Sequence, residues 1–539
     1  MKRIASALTL ASLLAGCTVG PAYRTRMPQP AAAGAFQAGL AVDPAGPLPD
    51  RWWSLYNDPQ LDALVEEALA HNSDLRVAAA NLERAQAVLQ EQRASLLPTT
   101  QITSGLTYGR SGTYGSSSST GSLGTSTGGT STGSTGTGST GTGNTGTTST
   151  GSSSGSSSGS TGSGGTSTSG TGTAPSTSTA RTIGRGGFAL AYEVDLFGRV
   201  RRSIEAARAD VAAREATRDA TRVTVAAATT QAYFDACLLG RRVDVGNEAV
   251  QLVGSSLEGI RRQVALGVGS PFDISRQAVL VEQQRAIVAQ LDGLRAQALY
   301  DLALLLGRPA TQVPQEALAC RAAPKLARAI PIGDGAGLIA RRPDIREAER
   351  TLAADTARIG IATADLFPTV TLGGSVSVAG TGLGSAFSRN GVSFGVGPFL
   401  TWFFPNIVAA RARINQAGAQ ARASLAGFDG TVLTALNEVE RALAAYDSEI
   451  RRNEALTAAV TNSQRAYQLA NVRVRLGSIS QLELIDVQRD LVTSLLALAE
   501  SDATLGGAQV TLFRALGGGW QAAPAVDPTP RALTGTAKP

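Results

Sequence analysis

The sequence predicts a mainly α-helical chain with a transmembrane β part. Three observations carry that prediction. First, the chain repeats itself. Leu96-Leu97-Pro98-Thr99 returns as Leu366-Phe367-Pro368-Thr369, an offset of 270 residues. Leu266-Gly267-Val268-Gly269-Ser270-Pro271-Phe272-Asp273 returns more loosely as Leu476-Gly477-Ser478-Ile479-Ser480-Gln481-Leu482-Glu483, an offset of 210. The difference of 60 is accounted for by a Ser/Gly/Thr tract at about 111–180 in the first copy. Second, four stretches alternate with a period of two. Third, very long stretches without proline separate them. A repeated unit of this size is an architecture, not a solenoid repeat.

The N-terminus reads as a targeting signal. Lys2 and Arg3 precede an apolar run, Ile4 to Leu14, that is too short to span a bilayer as a helix. Leu14-Ala15-Gly16-Cys17 looks like a bacterial lipobox, which implies cleavage before Cys17 and attachment of acyl chains to it. By the same resemblance, Thr18 after the cysteine is compatible with sorting to the outer membrane. No later segment holds eighteen consecutive apolar residues.

From Asp58-Pro59 to about Ser95 the chain has helical character, stopped by Leu97-Pro98. Ile102, Leu106 and Tyr108 then share one parity, and Phe188, Leu190, Tyr192, Val194 and Leu196 alternate cleanly. The second copy has Val370, Leu372, Val376 and Val378, then Val392, Phe394, Val396, Leu400, Trp402 and Phe404. These are four strands of a length that crosses a bilayer when tilted. Open strand edges do not exist in lipid, so four strands demand closure with other copies. Eight strands would close as well as twelve. The Ser/Gly/Thr tract lacks the apolar content to fold and is expected to project from the hairpin end as a flexible fringe.

Residues 200 to about 265 predict one helix of about 100 Å, and 407–475 a second. Val432, Leu436, Val439, Leu443, Tyr446 and Ile450 form a coiled-coil seam; Leu484, Leu491, Leu498, Leu505 and Leu512 recur every seven residues. Helices joined to a closed barrel follow its symmetry, which makes a hollow helical cylinder.

Composition excludes much else. His71 is the single histidine, so metal clusters and Ser-His or Cys-His catalysis have almost nothing to work with. No enzyme activity, metal site or cofactor is expected, the lipid on Cys17 apart. Cys237 and Cys320 make neither a disulfide framework nor a zinc spacing and read as small buried thiols. A net charge of +6, with arginine scattered among acids along helices, reads as solvated helix faces and not as nucleic-acid binding.

Several segments together resemble TolC/OprM-like outer membrane factors, in the lipoprotein (NodT-type) branch serving resistance–nodulation–division efflux pumps. They are Trp52-Trp53 with Asp58-Pro59 and Leu61, Asn72-Ser73-Asp74-Leu75, Glu193-Val194-Asp195-Leu196-Phe197-Gly198-Arg199, and Arg341-Arg342-Pro343-Asp344-Ile345-Arg346-Glu347-Ala348-Glu349. Ile359-Gly360-Ile361-Ala362 and Leu366-Phe367-Pro368 complete the set. The resemblance implies a homotrimer with a 12-stranded barrel, a long coiled-coil α-helical barrel in the periplasm and an equatorial belt. It also implies partners: a periplasmic adaptor protein, an inner-membrane pump and outer membrane lipids. One departure stands out: the counterpart of Asp195-Leu196-Phe197-Gly198 is Trp402-Phe403-Phe404-Pro405-Asn406, without the glycine usual at this junction. The organisation expected is a signal peptide at 1–16, a lipidated segment at 17–57, a first repeat at 58–306, a linking segment at 307–335, a second repeat at 336–517 and a disordered tail at 518–539.

A duct needs a gate instead of a catalytic centre. The turns at Gly267–Ser270 and Gly477–Ser480 join antiparallel helices at the end farthest from the strands, with glycine ending one helix and serine capping the next. Asp273 and Glu483 then have two readings. They are helix caps worth about 0.3–1 kcal/mol each, or parts of a carboxylate ring around a tunnel mouth. Asp486 lies beyond the capping position. By motif alignment all three fall where TolC-like proteins place gate residues, and Arg475, one turn upstream, is positioned to pair with these acids across a subunit boundary. Export of small amphiphilic compounds is the expected function; a protein-secretion channel and an adhesive surface lipoprotein are the rivals.

Overall fold

The computed structural model describes residues 18–25, 34–36, 42–43, 48–110 and 180–521, apart from 323, 327, 382, 389–390, 403 and 405–406, together with 523, 524 and 526. The expected signal peptide, Cys17, the Ser/Gly/Thr tract and nearly all of the tail lie outside the described residues.

A two-residue strand β1 (Val42–Asp43) and a 3-10 turn (Trp52–Tyr56) precede α1 (Pro59–His71) and α2 (Ser73–Ala94). Strands β2 (Thr99–Arg110) and β3 (Ala180–Val194) lead into α3 (Arg199–Ala265) and α4 (Pro271–Leu305). The short elements α5 (Gln315–Ala319), β4 (Ile330–Pro331) and α6 (Gly335–Arg341) connect to α7 (Pro343–Ala364). The sequence of elements then recurs: β5 (Thr369–Gly380), a helical turn α8 (Leu383–Ala386), β6 (Val392–Thr401), α9 (Ile407–Arg475) and α10 (Gln481–Ala515). Lengths match between the halves. Helices α2 and α7 both have 22 residues, α4 and α10 both have 35, and α3 and α9 have 67 and 69.

The one helix expected between Asp58 and Ser95 is two. Asn72 interrupts it, because its side-chain oxygen accepts from the amides of Asp74 and Leu75 at 2.9 and 3.3 Å and starts a new helix.

The chain forms two compact units. The first comprises residues up to 99, 190–373 and from 396 onward. In it α3 packs along α2, α4, α7 and α10, and α9 packs along α7 and α10. The predicted seam is buried at Val432, Val439, Leu443 and Tyr446, and on the partner helix at Leu484, Leu491 and Leu512. Helix α7 is tied to both long helices by a polar bridge. The buried Asp355 carboxylate accepts from Ser424 Oγ at 2.5 Å, and Arg358 spans Asp355 and Asp210 of α3. The main core lies where the short helices meet the long ones. Trp52 stacks on Phe513 at 4.6 Å, and Tyr56 meets Phe234 edge-on at 4.9 Å.

The second unit, residues 100–189 and 374–395, carries the hairpin parts of four strands. The strands form one sheet in the order β2-β3-β5-β6. Its faces differ as the alternation requires. On one face Ser377 and Ser393 hydroxyls lie 2.7 Å apart, and a Cβ on Gly187 would meet Thr103 Oγ1 at 3.1 Å. On the other, Val378 lies against Gly186, and Ile102, Leu106, Tyr108 and Phe394 are exposed. An exposed apolar face opposite a polar one is the pattern of a strand surface that meets lipid.

The two free thiols expected at Cys237 and Cys320 are instead joined in a disulfide. The separation of 83 residues hid the pairing. After α4 the connecting segment folds back across α3, where Gly240, one turn beyond Cys237, has no side chain to hold it off: a Cβ there would sit 2.8 Å from Cys320 O. Arg295 of α4 donates to Leu318 O at 2.5 Å, and Arg321 pairs with Asp244 at 3.4 Å. We predict that Cys320→Ser lowers unfolding stability by about 2–4 kcal/mol, read as a lower thermal midpoint, and abolishes the shift in non-reducing electrophoretic mobility that a reductant produces in the parent.

Candidate functional site

The features that set this chain apart are two matched helical hairpins. At the first, α3 ends in a turn in which Gly267 takes φ +78°, with Gly267 N–H donating to Val264 O at 3.0 Å and Val268 N–H to Gln263 O at 3.0 Å. At the second, Gly477 takes φ +68°, with Gly477 N–H donating to Val474 O and Ser478 N–H to Arg473 O. These are the same two bonds shifted by 210 residues, and both satisfy carbonyls a helix end would leave open. Each following helix opens with a capping box. Ser270 accepts from Phe272 N–H at 3.2 Å while Asp273 accepts from Ser270 N–H; Ser480 accepts from Glu483 N–H at 3.2 Å while Glu483 accepts from Ser480 N–H.

The carboxylates of Asp273 and Glu483 are therefore engaged as caps within their own helices. Asp486 is not; its carboxylate lies 3.5 Å from the Arg276 guanidinium of α4. Arg475 donates Nε–H to Asn471 O on its own helix at 3.3 Å. Within the chain the cation facing Asp486 is Arg276, which sequence reasoning missed. The signal was available, since the 210-residue offset places 276 on 486 and so pairs opposite charges at equivalent positions. Around these groups the tips are apolar and open: Leu266, Val268, Phe272, Leu476 and Leu482 are all exposed.

The other ends of the returning helices are held by a second matched pair of contacts. Asn72, buried ahead of α2, donates Nδ2–H to Leu305 O, the last carbonyl of α4, at 3.0 Å. Arg342, buried ahead of α7, donates Nη1–H to Ala515 O, the last carbonyl of α10, at 2.8 Å. Arg342 also meets Asp344 at 2.7 Å and Glu438 of α9 at 2.8 Å. Burial works against its charge, but the hydrogen bonds and attraction of those two carboxylates outweigh burial and hold its pKa above the usual arginine value. Its neighbour Arg341 is shifted down by burial, which Asp50 and Asp334 only partly offset.

At the strand end of α3, Asp195 accepts from the amides of Val200 and Arg201, and Arg199 donates from Nε and Nη2 to both carboxylate oxygens of Glu193. Phe197 stacks on Phe367 at 4.5 Å. The N-terminal segment docks here. Val19 N–H donates to Phe197 O at 3.2 Å, Arg202 donates to Gly20 O, and Tyr23 OH donates to Glu349. In the second copy Phe403, Pro405 and Asn406 lie outside the described residues, while Trp402 Nε1–H donates to Leu366 O at 3.3 Å.

The family model described as "Outer membrane efflux protein" matches residues 64–308 and 337–518. The chain belongs to that family. It is similar to the probable efflux pump outer membrane protein TtgC of Pseudomonas putida, 28% identical over 96% of each chain. It is 31% identical to the outer membrane protein OprJ of Pseudomonas aeruginosa, over 96% of this chain and 95% of that one. The solved outer-membrane channel OprN superposes with a TM-score of 0.75 at 29% identity, covering 94% of this chain and 100% of the other. The protein is thus an outer membrane efflux channel.

The Arg342 anchor gives a direct test. Arg342→Met leaves Asp344 and Glu438 facing each other without the cation and Ala515 O without its donor. The expected loss is about 1–3 kcal/mol, because Ala515 O loses a buried donor while both carboxylates keep contact with solvent; it is read as a fall in thermal midpoint, whereas Arg346→Met is expected to change stability little.

Proposed function

We propose that the protein is the exit duct of a tripartite efflux pump, passively conducting small amphiphilic compounds from a periplasmic adaptor and inner-membrane pump to the outside. Three copies close a barrel of twelve strands, and the long helices of the three form the periplasmic tunnel. The apolar face of the sheet supports insertion in lipid, because Ile102, Leu106, Tyr108, Phe394 and Val396 are all exposed. The match to efflux-pump outer membrane proteins supports this role over protein secretion.

The observation that carries a gate at the tip is the Arg276–Asp486 pair between two equivalent helices. It joins α4 to α10 through an ion pair open to solvent, a contact weak enough to break and reform, worth about 0–1 kcal/mol. Asp273, Glu483 and Asp486 would line the mouth, and Arg475 of each copy would face the next. The exposed Leu266, Val268, Phe272 and Leu476 suit the adaptor's docking end.

The docking of Val19 and Gly20 beside Phe197 supports an anchor on Cys17, since it brings the chain to the strand–helix junction just after that residue. Several acyl chains hold a protein far more firmly than one, at about 0.8 kcal/mol per buried CH₂.

Two measurements test this reading. Native mass spectrometry of the purified mature protein is expected to show three copies, each carrying lipid on Cys17; a monomer without lipid refutes barrel closure and anchor together. In planar bilayers, Asp486→Ala combined with Glu483→Ala is expected to raise single-channel conductance and reduce cation selectivity. Unchanged conductance refutes the acidic gate.

A further inference from the structure

About two turns into α4 and α10, and about three and a half turns before the end of α3, the helices share an unusual layer. Two adjacent carbonyls each receive a side-chain donor from a different helix: Gln488 of α10 donates Nε2–H to Leu252 O at 2.9 Å, and Gln277 of α4 donates Nε2–H to Val253 O at 3.0 Å. Both glutamines are sealed in the packing, with 1% and 0% of their surface exposed. Yet the Oε1 atom of each is buried without a hydrogen-bond partner among the described residues, and so is Ser256 Oγ one turn along α3.

The apolar packing beside them does not call for an amide. Ala249, Val253, Leu257, Val281 and Val492 form a buried cluster here, apart from the aromatic core at the far ends of the helices, and Leu484, Ile485 and Leu491 are buried on either side of Gln488. The duplication does not explain the glutamines either. The 210-residue offset sets Gln277 against Val487 and Gln488 against Ala278, so each amide arises separately in its own copy. A leucine at either place would continue the coiled-coil seam, and an apolar group of the same shape is neutral or stabilising where a buried acceptor goes unpaired.

We propose that Gln277, Gln488 and Ser256 form the release layer of the duct, where α4 and α10 part from α3 when the tip opens. The two amide N–H bonds set the closed register of the three helices. The two free amide oxygens and the serine hydroxyl are satisfied only when the helices separate and water enters, so the layer favours opening by the hydration it withholds in the closed state. Gln277 and Gln488 are positioning residues for conduction. They act through the tip and touch nothing that passes. The proposal rests on the tip being the gate.

The test uses the purified full-length channel with Gln277→Leu, Gln488→Leu and the double variant; Gln488→Met serves should leucine fit badly. Two readouts are taken: hydrogen exchange at the Ser256 and Leu257 amides, whose helical acceptors are these two carbonyls, and single-channel recording in bilayers. Removing the withheld hydration is expected to slow exchange about tenfold and to lower the frequency of openings severalfold, with a raised thermal midpoint. Faster exchange and a lower midpoint in every variant would overturn the proposal and leave the glutamines as plain clamps. Asp486→Ala is run alongside. If it changes conductance while the leucine variants do not, the gate stands and the release layer falls. If no variant at the tip or the layer changes conductance, the gate itself fails and takes the layer with it.

Discussion

The last carbonyls of α4 and α10 are the points on which the rest of the first unit depends. A helix end leaves carbonyls without partners, and in a buried setting each must find a donor. Here the donor is the residue that opens the next short helix in the fold: Asn72 for Leu305 O and Arg342 for Ala515 O. Both returning helices have 35 residues, so anchoring their ends at equivalent points sets both tips the same distance away, about 50 Å along the helix. Equal helix length gives two hairpins of different sequence the same reach.

The two anchors are alike in position but not in chemistry, and packing accounts for the difference. Helix α7 runs between α3 and α9, so the residue at its start meets a third element and needs several donors; Arg342 supplies them to Ala515 O, Asp344 and Glu438. Helix α2 packs along α3, and the compact amide of Asn72 both caps α2 and reaches Leu305 O. A bidentate cation is used where two carboxylates converge, and a neutral amide where one carbonyl is waiting.

Stability is distributed unevenly along the long helices. Aromatic rings and the disulfide concentrate near the anchors, where Trp52, Phe513, Tyr56 and Phe234 interlock and Cys237 holds the connecting segment to α3. Toward the tips the packing is aliphatic, with Ile260, Val281, Ile485 and Leu491 buried, and it takes in two buried glutamines and a solvent-exposed ion pair. A rigid root and a marginal end are what a channel needs if it is to open at one place without unfolding at another.

Much of this was legible in one dimension because the signals are local. Glycine at 267 and 477 and serine at 270 and 480 act within a turn, and the seam from Val432 to Ile450 follows from helix period alone, so turns, caps and long helices were read correctly. The interruption at Asn72 was missed because its flanks keep a helical pattern, and only its side-chain bonds show the break. What tertiary structure decided was which distant groups meet. The Cys237–Cys320 bond depends on a segment folding over Gly240, and the partner of Asp486 within the chain is Arg276 on a neighbouring helix. Periodicity tells a residue which face of its helix it occupies; it carries no information on which other helix that face will meet, and that is settled only when the helices pack.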